Sequence, residues 1–153
     1  MSVDAALARA NWRRRPDAGG RALQVLVVED DDADAYLLDR ALCDHVMTGR
    51  IFHAVDGVHA LDLIERGATP DLAFIDLHMP RKDGLTLLAD LRRLNQEFHL
   101  VVLTSSSAPA DIVRSRLRGA DCVLAKPDSA EELRKIVSTV IAAVCTEQMT
   151  CSR

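Results

Sequence analysis

QVLVVEDDD (24–32) is the stretch that decides the fold. Gln24–Val28 is a short apolar run without alternation, and four acids, Glu29–Asp32, end it abruptly. A strand buried on both faces reads this way, whereas a strand with one wet face alternates. Ala33–Val46 follows and sets Tyr36, Leu37, Arg40, Ala41 and Cys43 or Asp44 at helical spacing. The same pairing of short apolar run and helical segment recurs along the chain. Arg50–Ala54 is a weaker strand, and Gly57–Glu65 a short helix ending near Gly67. Pro70 breaks the chain before a third strand, Asp71–Ile75; Gly84–Leu94 then carries Leu85, Leu88, Leu91 and Leu94 on one side. Leu100–Leu103, a helix over Ala110–Leu117, a strand at Cys122–Leu124 and a helix over Ser129–Val144 complete the series. The connections are long enough for crossovers. The expected architecture is a parallel sheet with helices on both faces.

The surroundings agree with a single domain of 153 residues. Apolar residues make up 48%, too many for general disorder, and the net charge of −4 gives no dominant nucleic-acid surface. No apolar run approaches the roughly 20 residues of a membrane span. The first 21 residues hold five arginines against two aspartates, a local charge of +3. We read 1–21 as an extension, with a short helix over Asp4–Arg13 and Trp12 beside three arginines; 22–146 is the domain and 147–153 a fraying tail. Cys43, Cys122 and Cys145 read as small core residues and Cys151 as terminal, with no zinc or disulfide spacing. A reducing cytoplasm is the expected setting.

In a parallel sheet the carboxyl ends of the strands share one edge, and chemistry gathers there. The first strand ends in Glu29–Asp32, the third in Asp76, the fourth in Thr104, Ser105 and Ser106, and the fifth is followed by Lys126 and Pro127. Clustered carboxylates repel unless a cation joins them, and hard oxygens suit Mg²⁺. A carboxylate is also a nucleophile toward phosphorus, whose developing charge needs electropositive contacts. Asp76 stands alone at the central strand end and is the expected nucleophile. Glu29 and Asp30 are the expected metal site, Asp30 directly and Glu29 through water; Asp31 and Asp32 add field or cap the first helix.

Taken in order, VLVVEDD (25–31), FIDLHMPRKDG (74–84), VVLTSSS (101–107) and GADCVLAKP (119–127) resemble the receiver domain of two-component response regulators. The resemblance implies a doubly wound, five-stranded, flavodoxin-like sheet of strand order 2-1-3-4-5. It implies that Asp76 accepts a phosphoryl group from a phosphohistidine, with Mg²⁺ held by Asp30, Asp76 and the backbone carbonyl of His78. Glu29 matches the family's other acidic position, Thr104 its mobile hydroxyl and Lys126 its ion-pairing lysine. Pro80 and Gly84 match the loop after the phosphoacceptor, and Pro127 a proline whose preceding bond is often cis. Two positions depart from the pattern: Val123 replaces the usual aromatic switch residue, and Ser105 stands where Ala or Gly is commoner.

The implied partners are a sensor histidine kinase or histidine phosphotransfer protein and a downstream target protein. With only about nine residues after the last helix, output is expected through protein contact, homodimerisation through the fourth helix, fifth strand and fifth helix included. Direct DNA binding is not expected, nor turnover of outside substrates. Two alternatives stay open. One is a degenerate receiver that binds partners without phosphorylation; the other is a small hydrolase using Asp76 on external phosphomonoesters. Histidines 45, 53, 59 and 99 share no ligand spacing, and Tyr36, Phe52, Phe74 and Phe98 are read as packing residues.

Overall fold

The structure, a computed structural model, describes residues 22–79, 81–94, 97–106 and 108–150. The 1–21 extension with Trp12, Pro80 and Cys151 lie outside the described residues. Among the described residues, five strands alternate with five helices: β1 Leu23–Val28, α1 Asp32–Cys43, β2 Thr48–Ala54, α2 Gly57–Glu65, β3 Leu72–Ile75, α3 Gly84–Leu94, β4 His99–Thr104, α4 Pro109–Leu117, β5 Cys122–Ala125 and α5 Ala130–Thr150. The strands are all parallel in the order β2-β1-β3-β4-β5, as the resemblance implies.

The unbroken apolar runs have the expected cause. Successive side chains of a strand face opposite ways. Val25 and Val27 pack with Leu38, Ala41 and Leu42 of α1 and with Ile136, Val137, Val140 and Ile141 of α5. Leu26 and Val28 pack with Ala60 of α2 and Leu87, Leu88 and Leu91 of α3. Both faces of β1 are therefore buried from Val25 to Val28, and its one polar residue, the half-buried Gln24, stands near its start. The strand reverses the topology: β2 lies to one side and β3 to the other. The crevice at that reversal opens at Glu29 and Asp76.

Several sequence expectations need correction. The buried face of α1 is Leu38, Ala41 and Leu42, while Tyr36 is 61% exposed. Cys43 is exposed rather than in the core, because it lies one residue past that stripe. Cys122 is buried, and its thiol is pushed up to about 11 by burial, which keeps it inert. Cys145 is half-buried against the core. Helix α5 runs to Thr150, past the Val144 where its apolar stripe suggested an end. Its first turn is capped by Ser129, whose hydroxyl accepts from the Glu132 amide at 3.1 Å. The Lys126–Pro127 bond is trans, as are the other described peptide bonds.

At the opposite end of the sheet lies a buried charge network without a counterpart in the sequence reading. Arg92 of α3 donates to the Gly119 carbonyl at 2.9 Å, the Phe98 carbonyl at 2.7 Å and Asp121 Oδ2 at 2.6 Å. The Leu100 amide donates to the same Asp121 oxygen at 2.8 Å. One guanidinium thus ties the end of α3, the start of β4 and the α4–β5 turn. Gly119 has φ +111°, and a Cβ there would sit 2.3 Å from Arg92 Cγ. Only glycine allows both the turn and the close arginine.

Candidate functional site

Parallel pairing brings the strand ends level. Val28 pairs with Ile75 and Ile75 with Val102, so Glu29, Asp76 and the end of β4 emerge side by side. Thr104 pairs with Ala125, and the Lys126 amide donates to the Thr104 carbonyl at 2.8 Å. The local chain then directs each side chain. Asp31 caps α1 by accepting from the Asp34 amide at 2.9 Å, which starts the helix at the site. The Asp31 amide in turn donates to Glu29 Oε1 at 3.2 Å, holding that carboxylate inward.

Glu29, Asp30 and Asp76 each place a carboxylate oxygen within 4.8 Å of the others. Glu29 and Asp76 are buried and Asp30 is exposed, so the cluster has a dry floor and an open mouth. Lys126 Nζ lies 2.9 Å from Glu29 Oε2, 3.0 Å from Asp34 Oδ2 and 3.6 Å from Asp76 Oδ2. Glu29 is raised to about 7, chiefly by burial and further by the Asp76 charge, against the opposing pull of the Lys126 hydrogen bond and the Asp31 amide. Burial also pulls the Lys126 ammonium down, but its bonds to Glu29 and Asp34 and the field of Asp76 outweigh this and leave it above the usual lysine value. The lysine does not fully neutralise the site. Three hard oxygens with surplus negative charge, one of them open to water, form a donor set suited to Mg²⁺ or a similar dication.

The remaining expected residues are placed as follows. The Thr104 side chain is buried at the end of β4, and its Oγ1 accepts from the Ser106 amide at 3.0 Å. Ser106 Oγ donates to Asp111 Oδ2 at 2.5 Å, tethering the loop to α4. Ser105 is exposed at the rim and Val123 is buried in β5. His78 is exposed, and its amide faces Asp76 Oδ1 at 3.4 Å. Pro127 lines a groove with Lys126, Asp34, Leu37 and Leu133.

Gly84 opens α3 directly beneath the site. A Cβ there would lie 2.4 Å from the Asp76 carbonyl oxygen and 2.7 Å from Leu77 Cα. Both are backbone atoms and cannot swing aside. Gly84→Ala is expected to cost about 2 kcal/mol, within the usual range for overpacking. Urea unfolding measures it; a loss under about 0.5 kcal/mol would show that the loop relaxes freely.

Two features escaped the sequence reading. Asp34 is a third carboxylate on Lys126; its position one turn into a helix capped by Asp31 was the available signal. Arg81 Nε donates to the buried Asp56 Oδ2 at 2.6 Å and holds the β3–α3 loop. No spacing in the sequence marks that pair.

With this geometry in hand, comparison with known proteins is specific. Residues 25–138 match the response regulator receiver domain. The Regulator of RpoS from Escherichia coli (strain K12) is 35% identical over 121 residues, covering 79% of this chain and 34% of that protein. Among solved structures, the phosphorylated cyanobacterial phytochrome response regulator RcpA matches with a TM-score of 0.72 and 27% identity, over 78% of this chain and 91% of RcpA. The Mn²⁺-bound response regulator Rcp1 matches with a TM-score of 0.69 and 28% identity, over 77% and 91%. The chain spans between a third and a half of the length of the curated relatives it matches. With five parallel strands in the order 2-1-3-4-5 and acids and a lysine meeting at their ends, this chain belongs to the response regulator receiver domain family.

Proposed function

We propose that this receiver takes a phosphoryl group from a phosphohistidine onto Asp76 in a Mg²⁺-dependent reaction and signals through a changed protein-binding surface. The observation that carries the reading is the meeting of Glu29, Asp30 and Asp76 within 4.8 Å, with the Lys126 ammonium 3.6 Å from the Asp76 carboxylate. An isolated strand-end acid would have neither companion.

In the proposed step an Asp76 carboxylate oxygen bonds to phosphorus as the P–N bond to the donor imidazole breaks. The ring nitrogen leaves with that electron pair and takes a proton from water. Asp30, Asp76 and the His78 backbone carbonyl would hold Mg²⁺, with Glu29 acting through water. When bound, the ion neutralises charge on the phosphoryl oxygens. Lys126 shifts from its carboxylates to a phosphoryl oxygen. The Thr104 hydroxyl turns to donate to another, leaving the Ser106 amide it now accepts from. That exchange loosens the β4–α4 loop, and the added charge biases a two-state surface. Val123, smaller than the usual aromatic, follows Thr104 without a ring flip. Ser105 leaves the rim open to a donor, and Gly84 and Pro127 shape the flanking loops.

The partners we assign are a sensor histidine kinase or histidine phosphotransfer protein and a downstream target protein in the cytoplasm. Among the described residues, no helix is long and apolar enough to cross a membrane. Val113 and Leu117 of α4 are 56% and 81% exposed, which supports contact through α4, β5 and α5, with a target or a second copy. No direct DNA contact and no turnover of external substrates are assigned.

Acetyl phosphate tests the reading. The protein is expected to gain an acid-stable, hydroxylamine-sensitive label with Mg²⁺ and none after EDTA. Equal labelling with and without the metal would overturn the metal-dependent mechanism. Absence of any label, from acetyl phosphate or from a phosphohistidine donor, would favour the degenerate receiver.

A further inference from the structure

The loop after the phosphoacceptor rests on the start of α2, and two adjacent residues there receive it. Asp56 caps α2: it accepts from the His59 amide at 2.9 Å and from Arg81 Nε at 2.6 Å. The Asp56 side chain is 4% exposed and the Arg81 side chain 60%, so the arginine reaches inward to a buried carboxylate. Gly57 makes room beside it. A Cβ on Gly57 would lie 2.8 Å from Lys82 Cγ and 2.9 Å from the Lys82 carbonyl oxygen.

Arg81 also has φ +63°, alone among the described non-glycine residues. Side chains disfavour that region, so the surrounding contacts must hold it there. A cation near the positive end of a helix is also unfavourable by itself. The Asp56 carboxylate, between guanidinium and helix, reverses that. The Arg81 hydrogen bond is the main reason Asp56 is held below the usual carboxylate range, with the His59 amide adding to it against burial. The pairing therefore stays formed across the neutral range. Three residues before Arg81 stands His78, whose amide faces Asp76.

We propose that the Asp56–Arg81 ion pair positions the β3–α3 loop for cation binding, and that Arg81 acts as a positioning residue through that loop. The inference rests on the receiver reading above, because it assigns His78 to the metal site. Arg81 touches no group of the reaction itself.

Mg²⁺ affinity, measured by calorimetry on unphosphorylated protein, reads the effect. Arg81→Ala is expected to weaken binding roughly tenfold, the low end for groups that orient metal ligands. Asp56→Asn keeps a good helix cap while removing the charge, and should give the same loss. The double variant should be no weaker than either single one, since all three break one interaction. The melting temperature of Arg81→Ala should stay near that of the wild type. Unchanged affinity in Arg81→Ala, losses that add in the double variant, or a loss that follows a fall in melting temperature would each overturn the inference alone. A wild-type protein that binds no Mg²⁺ would overturn it together with the reading beneath it.

Discussion

Asp76→Asn is expected to reduce phosphoryl labelling to background, with no loss of folding stability. The amide nearly matches the carboxylate in shape, so packing at the end of β3 is preserved. The Asp76 amide nitrogen, which donates to the Val28 carbonyl at 3.1 Å, is untouched. What disappears is the oxygen nucleophile, and the covalent step has no substitute. A negative charge also leaves a site with too many. The field of Asp76 contributes to the raised Glu29 value, so its removal lets that carboxylate ionise more readily beside Lys126. The variant should thus unfold at a urea concentration no lower than the wild type. Labelling with acetyl phosphate and circular dichroism on the same sample separate lost chemistry from lost structure. A hydroxylamine-sensitive label that persists in Asp76→Asn would move the acceptor elsewhere.

Asp121→Ala carries the largest expected cost in stability. Asp121 is 1% exposed and Arg92 6%, so the substitution strips the Asp121 carboxylate from a buried guanidinium. The Leu100 amide at the start of β4 loses its acceptor as well. Breaking one side of a buried pair costs about 3–5 kcal/mol. Against a total of about 5–15 kcal/mol, this brings the domain close to unfolding. Urea unfolding at neutral pH measures the difference. A loss below about 1 kcal/mol would mean that water reaches Arg92 and replaces the carboxylate. The site lies at the other end of the sheet, so any folded fraction should still bind Mg²⁺.

These two carboxylates differ in how openly the sequence displays them. Asp76 follows a bare apolar run and falls level with Glu29 once the strands are parallel. Periodicity and topology together are enough to place it. Asp121 meets Arg92 across 29 positions, and neither residue is set apart from ordinary surface charge until the chain folds. Local patterns carry the backbone direction but not such distant partners. The phase of α1 shows a milder failure. Tyr36, Leu37 and Leu38 stand in a row, so the apolar stripe has more than one starting point. The sheet selects the one through Leu38, Ala41 and Leu42 and leaves Tyr36 and Cys43 outside. Strand limits moved for a different reason. The second strand is expected from Arg50, yet it begins at Thr48, which pairs with Leu23, because ladder bonds need backbone and not side chains. Asp34 and the Asp56–Arg81 pair were hidden for the same reason as Asp121: each meets a partner far away in sequence, Asp34 across 92 positions and Asp56 across 25.

β1 has a consequence for how force travels through the molecule. Val25 and Val27 are fastened to one helical layer and Leu26 and Val28 to the other. β3, β4 and β5 divide their side chains between the same two layers, so shear between the layers is shared by four strands, and the last peptide of β1 leads straight into Glu29 and Asp30. Repacking in either layer therefore reaches the acidic cluster through the ends of β1 and β3, which lie level in the sheet.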